Sequence, residues 1–379
     1  MINVSWQQHV LRDYSVCKQK NVIIRLDLNL PVANGIIEDT SRLDAITGFL
    51  TQMSFAGARM ILISHFGEKG ESLQIVANEL MKRLSFVHFS PSTDLSDVRT
   101  TLGTIPYGEA LLLENIRCWQ GEIDNLPSFA RSLSELGDIY INDAFSVSHR
   151  NHASVTGIPR YILSYLGPTC ERELVHLSKA LTPPLPTLLI IGGAKISTKL
   201  PLINRYLDQG VHVFVGGAMV HAILKARGIG IGNSLYDKDV AIPKDIIYHP
   251  DIITPIDVVL DTGETVPVNE VPEDRIIVDC GKETLALLDV DIEKAHTIIM
   301  NGPLGLYEQG WLHGTEHVLS QMGTRPKSVT YIGGGDTVTA AHKIGAINKI
   351  GFVSLGGGAM LDYLASGTLP GIDAVTKSH

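Results

Sequence analysis

Short apolar runs punctuate the chain. VIIRL (22–26), RMILI (59–63), ALLL (110–113) and DIYI (138–141) form one series. TLLII (187–191), VHVFV (211–215), TIIM (297–300), SVTYI (328–332) and IGFV (350–353) form a second. Their length and their Val, Ile and Leu content predict strands buried on both faces. Amphipathic stretches of helical length lie between them, for example 40–56, 72–84, 197–209, 217–227 and 283–295. Strands alternating with helices predict crossover units, hence parallel sheets covered on both sides.

The two series are separated by ERELVHLSKAL (171–181), which spaces Leu174, Leu177, Ala180 and Leu181 for a helix, and then by TPPLP (182–186). Tandem prolines end a helix and stiffen the chain beyond it. The expected fold class is therefore α/β, with two doubly wound parallel-sheet domains joined by an interdomain helix. The expected bounds are 1–170 for the first domain, 171–182 for the helix and 183–365 for the second domain.

Composition narrows the class of protein. A chain of 379 residues is long enough for two or three domains with cores of their own. Thirty-one Lys and Arg against forty Asp and Glu give a net charge of −9, so nucleic acid and anionic membrane are not expected partners. Any anion must be met by local positive charge. The four cysteines, Cys17, Cys118, Cys170 and Cys280, are scattered, with no CxxC pair, which fits a reducing cytoplasm. The first twenty residues lack an apolar export-signal core, and no window approaches a membrane-spanning length. The expectation is a soluble, cytoplasmic protein.

In open parallel sheets, ligands bind beyond the carboxyl ends of the strands. After the first-series strands come Asp27 and Asn29, then Ser64-His65-Phe66-Gly67, Glu114-Asn115 with Arg117, and Asn142-Asp143 leading to His149-Arg150-Asn151-His152. Arg42 opens the first long helical stretch. Arginines and histidines on one sheet edge suit a small polyanion, because guanidinium forks match carboxylate and phosphate oxygens. The pair His149 and His152 is too isolated to read as a metal site.

The second series is followed by glycines: Gly192-Gly193-Ala194-Lys195, Gly216-Gly217, Asn301-Gly302-Pro303, Gly333-Gly334-Gly335-Asp336-Thr337 and Gly356-Gly357-Gly358. Glycine at a strand-to-helix turn lets a phosphate approach backbone N–H groups at the positive end of a helix. Lys195 and Lys199, four apart on one expected helical face, add positive charge, and Asp336 is a candidate ligand for a magnesium ion bridging phosphates. One such turn is usually only close packing. Five of them in one half, opposed by arginines in the other, point to transfer between two chemically different substrates. The P-loop, protein-kinase and dinucleotide fingerprints are all missing, so phosphoryl transfer by another architecture is the best chemical class.

Nine segments carry a resemblance: RLDLNLP (25–31), EDTSRL (38–43), SHFG (64–67), LLLENIR (111–117), NDAFSVSHRNHAS (142–154), IIGGAKISTKL (190–200), NGPLGLYE (301–308), YIGGGDT (331–337) and VSLGGGAM (353–360). In this order and spacing the chain resembles the phosphoglycerate kinases over essentially its whole length. The resemblance implies a bilobed kinase of glycolysis that moves a phosphoryl group between 1,3-bisphosphoglycerate with MgADP and 3-phosphoglycerate with MgATP. It implies that Asp27, Asn29, Arg42, His65, Arg117 and Arg150 bind the phosphoglycerate. It makes Lys195 the lysine that follows the phosphoryl group and Lys199 the nucleotide-phosphate lysine. Arg42, Lys195 and Lys199 are thus the catalytic set.

By the same resemblance Glu308 partners the ribose, Gly334, Gly335, Asp336 and Thr337 carry phosphates and Mg2+, and Gly216 and Gly217 lie near the adenine. The tail 366–379 is expected to return to the first domain, the helix 171–181 to act as a hinge, and the chain to be a monomer. Phosphoryl transfer needs alignment and positive charge rather than a side-chain nucleophile.

The chain also departs from the family pattern. Glu68 stands where an arginine is usual, with Lys69 beside it. Thr198 replaces an aspartate, Ala218 a glycine, Lys282 a proline and Met300 a tryptophan, and Leu355 interrupts a glycine run. Glu68 supports an alternative, a related kinase with another carboxylate acceptor. Thr198 and Leu355 support another, a nucleotide-binding regulator without turnover.

Overall fold

The computed structural model describes residues 5–68, 70–325 and 329–378. Outside it lie residues 1–4, part of the stretch read for an export signal, Lys69, residues 326–328, including the start of the SVTYI run, and His379 of the tail. Contacts divide the chain into two compact units. One is Met1–Val175 with Gly367–His379, and the other is His176–Ser366.

The first unit is built on β1 (Asn21–Arg25), the hairpin β2 (Val32–Ala33) and β3 (Ile36–Ile37), β4 (Arg59–Ile63), β5 (Val87–Ser90), β6 (Ala110–Leu113), β7 (Ile139–Asn142) and β8 (Leu163–Leu166). Apart from the hairpin these form a parallel sheet in the order β5-β6-β4-β1-β7-β8. Its helices are α1 (Ser41–Phe55), α2 (Gln74–Arg83), α3 (Leu95–Thr104), α4 (Pro127–Ser134) and α5 (Pro168–Ala180), within which the chain passes from the first unit to the second.

The second unit contains β9 (Thr187–Ile191), β10 (His212–Val215), β11 (Ile252–Ile253), β12 (Asp257–Leu260), β13 (Thr265–Pro267), β14 (Ile277–Cys280), β15 (Thr297–Asn301), β16 (Thr330–Gly333) and β17 (Phe352–Val353). Six form a parallel sheet in the order β11-β10-β9-β15-β16-β17, and β13-β12-β14 form a small antiparallel sheet. Its helices are α6 (Leu200–Leu207), α7 (Gly217–Ala226), α8 (Lys244–Ile247), α9 (Lys282–Lys294), α10 (His313–Met322), α11 (Gly335–Lys343) and α12 (Gly357–Ser366).

Burial explains the central strands. Every residue of β6, β7, β9 and β15 is buried, so branched apolar side chains cover both faces. Helix α1 buries Leu43, Ile46, Phe49, Leu50 and Met53, one stripe at helical spacing, and is followed by Gly57 at φ +77°. Each sheet reverses its winding direction at its centre, beside β1 in the first and between β9 and β15 in the second. Open α/β sheets hold ligands at such points.

The last helix, α13 (Pro370–Thr376), packs in the first unit on the segment Ala153–Gly157, where the Gly371 N–H donates to the Ser148 carbonyl at 2.8 Å.

Two expectations need correction. Strands β5 and β8 and the antiparallel sheet have no counterpart among the apolar runs: β5, β8 and β13 are partly exposed, and in the buried β12 and β14 the acidic residues Asp257 and Asp279 interrupt the apolar pattern. Lys195 and Lys199 do not share a helical face. Residues 195 and 196 are irregular, 197–199 form a turn, and α6 begins only at Leu200, with Lys199 as its N-cap and Pro201 in its first turn.

Candidate functional site

In the first unit the strand ends gather positive charge. Arg42, the second residue of α1, donates through Nη1 to the Asp27 carboxylate at 2.9 Å and to the Asn29 carbonyl at 2.7 Å. Asp27 also accepts from the Ser146 hydroxyl. The Asn29 side chain accepts from the Gly67 N–H at 2.9 Å, and Arg117 Nη1 donates to the Gly67 carbonyl at 2.5 Å. Gly67, at φ +60°, is therefore held on both sides of its peptide. Asn115 secures the same loop, donating to the Phe66 and Glu71 carbonyls at 2.6 and 2.8 Å.

Beneath this layer lies a residue the sequence reading did not single out. Arg25 ends β1 fully buried; its Nε donates to Ser154 Oγ at 3.0 Å and its Nη1 to the Leu26 carbonyl at 2.5 Å. The Ser154 hydroxyl donates in turn to buried Glu122 at 2.6 Å, and the Ser154 N–H donates to the same carboxylate at 2.9 Å. Burial raises the pKa of Glu122, opposed by Arg25. A charged residue closing an apolar strand was the available signal, because arginine is rarely fully buried without partners.

His65 lies 3.4 Å from Arg25 through Nδ1. Burial first, and then the fields of Arg25, Arg117, Arg150 and Arg42, push its pKa far below the usual imidazole range. His65 is therefore neutral at physiological pH, in contact with Arg25 and within the field of Arg117, Arg150 and Arg42. The structure thus gathers Asp27, Asn29, Arg42, His65, Arg117 and Arg150 at one edge and adds Arg25. His152, 3.8 Å from Glu122, is lowered to about 4 by burial and then by the arginines. Among the described residues, Arg25, Arg117 and Arg150 form no direct ion pair; the buried Glu122 carboxylate, bridged to Arg25 through Ser154, offsets part of the positive field of this edge. Glu68 is exposed in the turn after Gly67, and its field reaches Arg117; Lys69 lies outside the described residues.

In the second unit the glycine turns pack on one another. A Cβ on Gly192 would stand 2.1 Å from the Pro303 carbonyl oxygen, and one on Gly217, at φ +62°, 2.7 Å from the Gly193 nitrogen. These two glycines are required by backbone contact alone. Gly335, by contrast, faces open space. Asn301 is buried with its Nδ2 unpaired beside Gly334. Thr337 accepts from the Gly302 N–H at 2.9 Å, which ties two loops together.

Lys199 is half-buried, its ammonium donating to the Gly192 carbonyl. Burial lowers its pKa to about 8, against the pull of Asp336. Asp336, at the start of α11, is raised by burial and then by Glu308. These three groups form one electrostatic unit. Lys195 is exposed instead and lines a cavity of about 680 Å³ with Ala218, His221, Tyr236, Leu306 and Glu308. Gly216, Gly334, Gly335, Asp336 and Thr337 lie outside the lining of that cavity. The loop at 233–239 forms one wall. Asp237 accepts from the Ser197 hydroxyl at 2.7 Å, and Tyr236 lies under Lys225 at 4.4 Å. Thr198 donates to the Lys195 carbonyl at 3.0 Å.

Among the described residues, no three His, Cys, Asp or Glu side chains converge to hold a metal ion. Asp336 alone suits a hard divalent cation that arrives already chelated by phosphates, since magnesium keeps most of its shell for phosphate and water. No described helix is long and apolar enough to cross a membrane.

Comparison with known proteins places the chain in a family. The phosphoglycerate kinase family profile matches residues 11–367. A phosphoglycerate kinase of Maricaulis maris is 37% identical, covering 94% of each chain, and one of Methylorubrum extorquens is 36% identical, covering 96% of this chain and 98% of its own. The solved phosphoglycerate kinase of Coxiella burnetii superposes with TM-score 0.80 at 30% identity, covering 95% of this chain and 97% of its own. That of Pyrococcus horikoshii superposes at 0.83 and 27%, covering 97% and 98%. Since the profile spans residues 11–367, a range that holds both the arginine edge and the glycine turns, and the relatives match over nearly the whole chain, the chain belongs to the phosphoglycerate kinase family.

Proposed function

We infer that the arginine edge of the first unit binds 3-phosphoglycerate or its acyl phosphate, and that the glycine turns and cavity of the second unit bind ATP or ADP with Mg2+. The observation that carries this reading is that Arg42 and Arg117 are held on the Asp27–Asn29 and Gly67 loops beside Arg25 and His65, so that the fields of four guanidinium groups reach one neutral imidazole. A small acid bearing both carboxylate and phosphate is the ligand class that such a field selects.

In the kinase direction a carboxylate oxygen of the acid bonds to the γ-phosphorus while the bond to the bridging oxygen breaks and ADP leaves with that electron pair. No side chain is required to form a covalent bond. Arg42 is held by Asp27 and the Asn29 carbonyl, so its guanidinium is oriented before substrate arrives. Lys195 is exposed in the cavity lining, where it would accompany the transferred group, and Lys199 is held by the Gly192 carbonyl to meet nucleotide phosphates. Asp336 would hold the magnesium ion, which supplies charge neutralisation on the phosphates when bound. The four unpaired cysteines support a reducing, cytoplasmic setting.

The test is ADP release from MgATP and 3-phosphoglycerate by the purified protein. Arg42→Ala and Lys195→Ala should each abolish most of the turnover. Glu68 supports the second reading, a related acceptor. Turnover with a different carboxylate, and none with 3-phosphoglycerate, would establish that reading instead. Nucleotide binding without any turnover would establish the regulator.

A further inference from the structure

His221 lies one turn beyond Gly217 and Ala218 on α7 and is only 3% exposed, yet it lines the cavity. Its Nδ1 lies 2.7 Å from the Leu235 carbonyl oxygen. A carbonyl can only accept, so Nδ1 carries the proton. The neutral ring must then present a bare lone pair at Nε2. Burial lowers the pKa of the ring, which favours this neutral form. Nε2 has no protein partner among the described residues, and it is not sealed within the core. His221 lines the cavity among Ala218, Ile277, Val278 and Leu306, and with Nδ1 committed to the Leu235 carbonyl, Nε2 is the ring nitrogen left to accept a hydrogen bond there.

We propose that His221 selects the nucleotide base: its Nε2 accepts a hydrogen bond from the exocyclic amine of an aminopurine and rejects a purine that carries a carbonyl oxygen at that position. The inference rests on the cavity being the nucleotide site. An amine donor meets the lone pair. An oxo group would set two acceptors face to face, and relieving them would require His221 to release the Leu235 carbonyl and change tautomer. A site built to hydrogen-bond a substrate group discriminates strongly against the analogue that leaves its polar atom unpaired. Asn233 lines the same cavity, but an amide turns to offer either donor or acceptor, so it discriminates little.

The experiment uses the full chain and two probes, ADP and IDP, which differ at that amine. Calorimetric titration should give ADP an affinity at least about tenfold tighter than IDP. His221→Phe should bring the ratio close to one, and His221→Gln, which again offers an acceptor, should recover part of it. In the unmodified protein labelled with ¹⁵N-histidine, ADP should shift the His221 Nε2 resonance in the direction of an accepted hydrogen bond, and IDP should not. That readout needs no variant to fold. Equal affinities, a ratio unchanged in a folded His221→Phe, or an Nε2 resonance indifferent to ADP would overturn the proposal while leaving the nucleotide site intact. Failure to bind either probe would overturn the nucleotide reading itself, and this inference with it.

Discussion

Arg25 and Glu122 are joined through a single hydroxyl: Ser154 Oγ accepts from the guanidinium at 3.0 Å and donates to the carboxylate at 2.6 Å. Both charges are buried, so the hydroxyl satisfies two groups that water does not reach. Ser154→Ala should cost about 1–3 kcal/mol of stability, the range for leaving buried polar groups short of a partner. Because Arg25 lies against His65, KM for 3-phosphoglycerate should rise severalfold as well. Urea denaturation and steady-state kinetics on the same preparation would check both effects.

Lys199 titrates near the physiological range, and its depressed pKa sets the sign of the pH dependence. The folded chain binds fewer protons than the unfolded one between about 8 and the ordinary lysine value, so this group makes stability rise with pH across that window. Function moves the other way. Above about pH 8 the free protein loses the charge that would meet nucleotide phosphates, so kcat/KM for MgATP should fall on the alkaline side. Lys199→Arg should keep its charge and flatten that limb. A pH profile of kcat/KM for the two proteins is the measurement.

Glu68 places a negative charge within reach of Arg117. Glu68→Arg should lower KM for 3-phosphoglycerate by about tenfold, the worth of roughly one charge-assisted contact. Glu68→Gln should fall between. An unchanged KM in the arginine variant would show that the edge is arranged for another acid.

The glycine turns divide into those required by packing and those that are open. Gly192→Ala and Gly217→Ala force a Cβ to within 2.1 and 2.7 Å of backbone atoms, so each should destabilise by about 1–3 kcal/mol or more. Gly335→Ala meets nothing within 4 Å at the start of α11 and should leave stability unchanged or slightly improved. If nucleotide phosphates approach that backbone, the same methyl group should still raise KM for MgATP. Thermal melts and nucleotide titrations would separate the two classes.

The parallel α/β class was legible because buried central strands require uninterrupted apolar residues, and TLLII became β9 with every residue buried. VHFS and LSYL escaped notice because β5 and β8 lie at sheet edges, where part of each strand meets solvent and polar residues interrupt the run. The candidate side chains were legible as residues following strands, since topology places strand ends on one edge. Arg25 was not, because its role depends on Ser154 and Glu122, about a hundred or more residues away in sequence. The two lysines were misassigned to a helix because a spacing of four suits a turn-rich loop as well as an α-helix. What separates the two is the chain direction at Lys199 and Pro201. His221 gave no sequence signal, since its polarity is set by the carbonyl of Leu235.

Helix α13 belongs by its contacts to the first unit, although almost two hundred residues of the second are made before it. On the ribosome, the first sheet can assemble early, yet the Ser148 carbonyl and the Ala153–Gly157 segment must wait uncovered until the entire second unit has been synthesised. That segment also carries Ser154, whose hydroxyl bridges Arg25 and Glu122, so a helix made after the whole second unit covers the stretch of backbone that holds this buried charge pair together.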